Sequence, residues 1–239
     1  MRFRRIIKLL LRKTGYELVR FSSDSDPLAR RMKLLNGHGI NVVLDVGANE
    51  GQTAKQLRHM GYRGRIISFE PLSSAYKLLK LSADADGSWE TFNLALGDKS
   101  DSAIINVAGN SVSSSILEML PAHIKAWPCS EYTSHEEVRI VTLDSIFDSL
   151  SLKGKKIYLK IDTQGFEEKV IKGAENSLRF IDIIQIEMSL TPLYRGEILL
   201  PEMYALLRKK GYEMVSIEQG FSDSRSGVLL QVDGIFSRP

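Results

Sequence analysis

Asp45, Gly47 and Gly51 lie in the run Val42-Val43-Leu44-Asp45-Val46-Gly47-Ala48-Asn49-Glu50-Gly51, and Glu70 ends a second run, Arg65-Ile66-Ile67-Ser68-Phe69-Glu70. Two glycines after an apolar run allow a tight turn that brings backbone N–H groups close to a ligand. A carboxylate at the end of the next strand can accept hydrogen bonds from both hydroxyls of a ribose. The turn lacks the G-x-G-x-x-G spacing with which three glycines admit a pyrophosphate. Asp45 would repel a diphosphate, yet it can help hold, directly or through water, the cationic methionine part of S-adenosyl-L-methionine. These residues point to that cofactor rather than to NAD. The plain alternative is an ordinary βα turn followed by a surface glutamate.

The elements needed to position these groups follow from the pattern. Val42 to Val46 is apolar and β-branched enough for a strand covered on both faces. Helices are expected at residues 52–60 and 73–82, strands at 65–69 and 90–96, and the βαβαβ order requires a parallel sheet with right-handed crossovers. Later core strands are expected at 157–161 and 181–186. The last third alternates a helix at 201–210 with strands at 212–217 and 229–236, whose short polar connection favours antiparallel pairing and one reversed strand at the sheet edge. Extra strands are expected at 103–107 and 138–142. Residues 117–137 show little periodicity and read as a loop, either a lid, a substrate wall or a surface insertion.

Composition narrows the class. A chain of 239 residues makes one large domain, or a domain with an appendage. Its single cysteine, Cys129, forms no intrachain disulfide and no cysteine-rich zinc site, which fits a reducing, cytoplasmic setting. His38, His59, His123 and His135 have no close metal-ligand spacing and read mostly as surface residues. No apolar run approaches the roughly 20 residues that span a bilayer.

The charge is concentrated. Residues 1–21 hold seven basic groups, Arg2, Arg4, Arg5, Lys8, Arg12, Lys13 and Arg20, against Glu17, while the remaining chain holds 25 basic and 28 acidic residues. Within this arm Phe3, Ile6, Ile7, Leu10 and Leu11 recur at i, i+3, i+4, i+7 and i+8, a helical apolar stripe. Such a helix suits peripheral contact with an anionic membrane, at its inner face, or packing on the domain or on a second copy as a homo-oligomer. Nucleic acid is not expected, because the basic charge stops at the arm and no aromatic-basic interleaving accompanies it. Residues 1–26 therefore form an arm and linker, and 27–239 the domain.

The blocks LDVGANEGQTA at 44–54, ISFEP at 67–71, NLALGD at 93–98, VTLDSIF at 141–147, LKIDTQGFEEKVIKGAE at 159–175 and IQIEMS at 184–189 resemble the FkbM family of S-adenosylmethionine-dependent methyltransferases. The resemblance runs from about Val42 to Phe236, and the KIDTQGFE block is its most specific part. It implies a class I, Rossmann-like methyltransferase fold: a seven-stranded, mostly parallel sheet with an antiparallel edge strand. It also implies methyl transfer to a hydroxyl oxygen of a sugar, glycan intermediate or natural-product scaffold. By position, Asp45, Gly47, Asn49 and Gly51 would form the methionine-side turn and Glu70 would hold the ribose. Residues 93–98, with Asn93 and Asp98 at their ends, would lie near the adenine. Asp162 would sit beside the methyl donor, with Gln164, Glu167 and Glu187 near the acceptor.

Transfer from a sulfonium is an in-line displacement, so the acceptor must be aligned and its proton removed. A sugar hydroxyl is a very weak acid, which calls for a nearby carboxylate or histidine, His135 and Tyr132 being the weaker candidates, or for a divalent ion such as Mg2+. Asp162 is the first choice for the base, then Glu187 and Glu167; Asp162 and Glu187 would be the ligands if a metal is used. A helix N-cap role for Asp162 and a helix-dipole role for Glu167 are the structural alternatives. Residues Ile161 to Gln164 differ from the Asp/Asn-Pro-Pro-aromatic motif of amino methyltransferases acting on bases, so a small hydroxylated substrate such as a sugar fits better, and a lipid-linked glycan becomes attractive if the arm binds membrane. The rivals are a nicotinamide oxidoreductase, and a non-catalytic cofactor-binding or membrane-associated partner domain.

Overall fold

The computed structural model describes the backbone of residues 2–239 and the side chains from Ile7 onward. Helix α1 (Arg2–Lys13) precedes the domain. Phe3 and Ile6 of the expected stripe lie outside the residues whose side chains are described. Helix α2 (Pro27–Gly37) begins after Asp26, whose carboxylate accepts from Ala29 N–H at 2.8 Å, with proline in the first turn.

The main sheet contains β1 (Val42–Val46), β2 (Arg65–Phe69), β3 (Trp89–Phe92), β7 (Ile157–Ile161), β8 (Ile181–Ser189), β9 (Glu213–Gln219) and β10 (Gln231–Ser237). Their order is β3-β2-β1-β7-β8-β10-β9. Every residue of β1 and of β7 is buried, as strands covered on both faces must be. The expected reversed strand is β10, antiparallel to both neighbours. It lies one place inside the edge, because β9 returns beyond it.

Alternation along the strands divides the core. Val42, Leu44 and Val46 pack with α7 (Glu167–Lys172) and α8 (Leu200–Lys209), through Val170, Ile171, Met203 and Leu207. Val43, Ile66 and Tyr158 pack on the other face with α2, α3 (Gln52–His59) and α4 (Ser73–Asp84). The chain leaves β1 toward β2 and β3 on one side, and returns to β7 and β8 on the other. The carboxyl ends of β1 and β7, paired Val46 to Ile161, therefore flank a topological switch point, where such sheets bind ligands.

The expected third strand divides in two. β3 stays in the main sheet, while β4 (Ala95–Leu96) joins a second sheet of order β4-β6-β5 with β5 (Asp101–Ala108) and β6 (Tyr132–Val141). Asn93 sits at the break, its Nδ2 donating to the carbonyls of Glu70 and Pro71 at 2.9 and 2.8 Å. Residues 117–137, expected as loop, contain helix α5 (Pro121–Ala126), a 3-10 turn (Pro128–Ser130) and the start of β6. His123 departs from the expected surface histidines: it is buried against Tyr194 and Phe221. Burial lowers its pKa to about 4. A short helix, α6 (Leu143–Ile146), leads to β7.

Candidate active site

A cavity of about 260 Å3 opens at the carboxyl ends of β1, β2 and β7. Gly47, Asn49, Glu70 and Asp162 are on its wall, joined by Phe69, Leu96 and Phe166 as apolar surface. Gly47 has φ +75°, and a Cβ there would stand 1.8 Å from the Asp162 carbonyl oxygen. The β1 turn passes the end of β7 at a distance only glycine permits. Gly47 and Ala48 donate their N–H groups to Phe69 O, tying this turn to β2.

Glu70 is 4% exposed, and its two carboxylate oxygens accept from Asn49 N at 2.7 Å and Leu72 N at 2.8 Å. Each oxygen keeps a further lone pair. Burial raises the Glu70 carboxyl to about 7 even though both backbone hydrogen bonds oppose the rise. A buried bidentate acceptor beside an apolar wall matches a ribose with its purine, so the residues present fit an adenosyl cofactor.

Not every predicted cofactor residue reaches the cavity wall. Asp45 is fully buried behind the turn, where burial raises its carboxyl and Lys160 opposes that rise. It faces Lys160 Nζ at 3.5 Å and Ser68 Oγ at 3.4 Å, so of the two expected modes, direct or through water, direct contact with a ligand is ruled out by its burial. Gly51 has φ +85° at the start of α3, and a Cβ there would meet the Trp89 ring at 2.6 Å. Asp98 pairs with Lys169 at 2.9 Å, away from the wall. Asn93 ties the break between β3 and β4 to the end of β2, and Ala95 and Leu96 from the same block reach the wall instead.

Asp162 follows β7 and is partly exposed. Its Oδ2 lies 3.3 Å from Lys160 Nζ, and its Oδ1 accepts from Gln164 Nε2 at 2.8 Å. The same amide nitrogen donates to Glu187 Oε2 at 2.7 Å, while Gln164 Oε1 accepts from the Tyr194 hydroxyl at 2.7 Å. The tyrosine contact orients the amide, turning its NH2 toward the two carboxylates. The oxygens of Asp162 and Glu187 that face each other, the pair that would hold a divalent ion if one is used, are bridged by this amide nitrogen. Among the described residues, no group of three or more His, Cys, Asp or Glu is arranged to hold a metal ion.

Glu187 also accepts from Gln231 Nε2 at 2.9 Å. Burial, then the nearby charges of Asp162, Glu167 and Asp233, push its carboxyl well above the usual range. Glu167 is buried at the start of α7. Its Oε1 accepts from Thr163 N, Thr163 Oγ1 and Gly165 N at 2.7, 3.1 and 3.2 Å, so it braces the turn that carries Asp162 instead of facing the cavity. Burial raises it to about 7.

Lys160 is absent from the sequence prediction and central to the site. Burial by itself would lower its pKa, but the charges of Asp162, Asp45 and Asp233 outweigh that and hold it above the ordinary lysine value. Its Nζ also donates to Gly47 O at 3.3 Å, so one cation joins the cofactor turn to the Asp162 carboxylate. The signal was present as a lysine inside the otherwise apolar strand Ile157-Tyr158-Leu159-Lys160-Ile161, since a lysine is almost never fully buried unless paired. Tyr194, in the segment after β8, had no such signal. Asn49, Ser111 and Gln164, three non-glycine residues with positive φ, all line the cavity, concentrating backbone strain there.

A family model, the methyltransferase FkbM domain, matches residues 45–214. No curated protein matches the chain. Among solved structures, a methyltransferase FkbM from Methylobacillus flagellatus KT is similar with a TM-score of 0.50 at 14% identity, over 91% of this chain and 45% of that one. The chain thus spans about half the length of that structure. TehB from Haemophilus influenzae gives a TM-score of 0.46 at 10% identity, over 87% of this chain and 61% of that one. The 1,6-didemethyltoxoflavin-N1-methyltransferase of Burkholderia thailandensis, solved with S-adenosylhomocysteine, gives 0.45 at 12% identity, over 88% and 77%.

Proposed function

The chain belongs to the FkbM methyltransferase family, and from that premise we propose that it transfers a methyl group from S-adenosylmethionine to a hydroxyl of a sugar, glycan intermediate or natural-product scaffold. When bound, the cofactor supplies an electrophilic methyl group on a sulfonium. Glu70 would hold the ribose hydroxyls, the Gly47 turn would border the methionine part, and Leu96 and Phe166 would flank the purine.

The observation that carries the reading is the Asp162 carboxylate, on the cavity wall and held by Gln164 at 2.8 Å and Lys160 at 3.3 Å. Asp162 would take the hydroxyl proton as the acceptor oxygen becomes an ether, leaving a carboxylic acid that returns the proton to water. Such a base contributes about 10²–10⁴ in rate. Asp162 is preferred over Glu187 because its carboxylate is on the cavity wall, whereas Glu187 stands behind Gln164 and does not line the cavity. Glu187 and Tyr194 would act through Gln164, fixing the side of Asp162 that meets the acceptor.

Calorimetric titration with S-adenosylhomocysteine, with NAD as control, tests the cofactor assignment. Micromolar binding to the first alone, lost in Glu70→Ala, is the expected result. Binding of NAD instead would sink it. Screening hydroxylated sugars for transfer of labelled methyl then tests the acceptor class, and transfer only to amines would overturn it.

A further inference from the structure

We propose that residues 2–21 dock this protein on an anionic lipid surface. Helix α1 is 12 residues long, and Phe3, Ile6, Ile7, Leu10 and Leu11 fall on one stripe of it by register. Among the described residues of the arm, 7–21, none is buried. Leu10 is 59% exposed, and Tyr16 and Phe21 beyond the helix are 71% and 62% exposed. The polar contacts of this stretch stay within the arm and linker: Arg12 with Glu17, Thr14 Oγ1 to Leu11 O, Tyr16 N to Leu11 O and Ser25 Oγ to Arg20 O.

An isolated helix of this length is marginal in water, so its stability must come from burying the apolar stripe against a partner. The partner must be both apolar and strongly anionic, because seven cations and one acid accompany that stripe. The remainder of the chain, and so a second copy of it, offers 25 basic against 28 acidic residues, a small excess over a large surface. A leaflet with anionic headgroups places dense negative charge directly above hydrocarbon, in the layering that an apolar stripe flanked by Lys and Arg requires. Exposed Tyr16 and Phe21 suit the same boundary. The helix would lie along the surface: it measures about 18 Å at 1.5 Å per residue, and among the described residues no helix is long and apolar enough to cross a membrane.

The test is sedimentation of the full chain with phosphatidylcholine vesicles, with and without phosphatidylglycerol, at low and high salt, with circular dichroism on the same mixtures. Expected are binding only to the anionic vesicles, weakening with salt, and a gain of helix on binding. Two variants separate the contributions, Arg4→Gln/Arg5→Gln/Lys8→Gln/Arg12→Gln and Ile7→Ser/Leu10→Ser/Leu11→Ser. The first should partition at least about a hundredfold more weakly and the second should lose the helical gain, both with unchanged affinity for S-adenosylhomocysteine. Absence of vesicle binding, equal binding to neutral vesicles, or unaltered binding of the serine variant would overturn the proposal. So would arm-dependent self-association, or retention on RNA without retention on vesicles.

Discussion

The two sides of the cleft are built differently. The side that would take the cofactor comes mostly from one stretch of chain, Asp45 to Leu72, with Leu96 and Phe166 added as apolar wall, and its polar contacts are mostly backbone: the Gly47 turn hooked onto Phe69, and Asn49 and Leu72 amides on the Glu70 carboxylate. The acceptor side is a side-chain network gathered from distant segments, with Gln164 joined to Asp162, Glu187 and Tyr194. A backbone-built site tolerates little change in shape, whereas a side-chain network can be altered one hydrogen bond at a time. If the proposed roles hold, the first would suit a constant ligand and the second an acceptor that varies.

The largest effect should follow from Gly47→Ala, because the new Cβ would stand 1.8 Å from the Asp162 carbonyl at a φ that alanine resists. It should abolish binding of S-adenosylhomocysteine and lower the melting temperature; calorimetry showing normal affinity would mean that the two sides are not pressed together as described. Lys160→Met comes next, since it leaves Asp45 buried without its cation. The cost should be about 3–5 kcal/mol in urea unfolding. Burial already raises Asp45, so acid pH should restore part of that loss by neutralising the carboxyl, and a loss independent of pH would point to packing alone.

Asp162→Asn should divide the two sides cleanly. Cofactor affinity should hold while single-turnover transfer falls by about 10²–10⁴; an unchanged rate would remove Asp162 from the chemistry. The smallest effect is protonic. Glu70 and Glu167 sit near 7 in the folded protein, against 4.5 as ordinary glutamates. Between these values the folded state binds more protons than the unfolded one, so their contribution makes the ligand-free protein less stable as pH rises from 4.5 to 7. Ribose hydroxyls would donate to the ionised form of Glu70, so cofactor affinity should rise with pH to about 7 and then level. Titrations at pH 6 in buffers of different ionisation enthalpy should show proton release, and heats independent of buffer would remove Glu70 from the linkage.

Legibility in the sequence followed the same division. Gly47 and Glu70 were readable because a glycine turn and a strand-end carboxylate are local devices, marked by the apolar strands before them. The position of Asp45 before the turn is legible too, but its burial behind the turn beside Lys160 is not, because that depends on how β1 pairs with β7. Glu167 was named among the catalytic candidates, but its reach back to Thr163 and Gly165 depends on a turn geometry that residue spacing does not reveal. β5 and β6 were anticipated in part, while α5 was missed, since a six-residue helix carries too little periodicity to stand out.

What the sequence determined by itself was the order of the main-sheet strands and the helices between them, the switch-point turn and the charge held in the arm, because these follow from periodicity, glycine placement and residue counts along contiguous chain. Tertiary structure alone decided that Lys160 joins both sides of the cleft, that Gln164 bridges Asp162 and Glu187, and that Tyr194 orients the bridging amide. Those contacts depend on strand order and on the close approach of the Gly47 turn to the end of β7, and no local pattern records which side chains a fold will bring into contact.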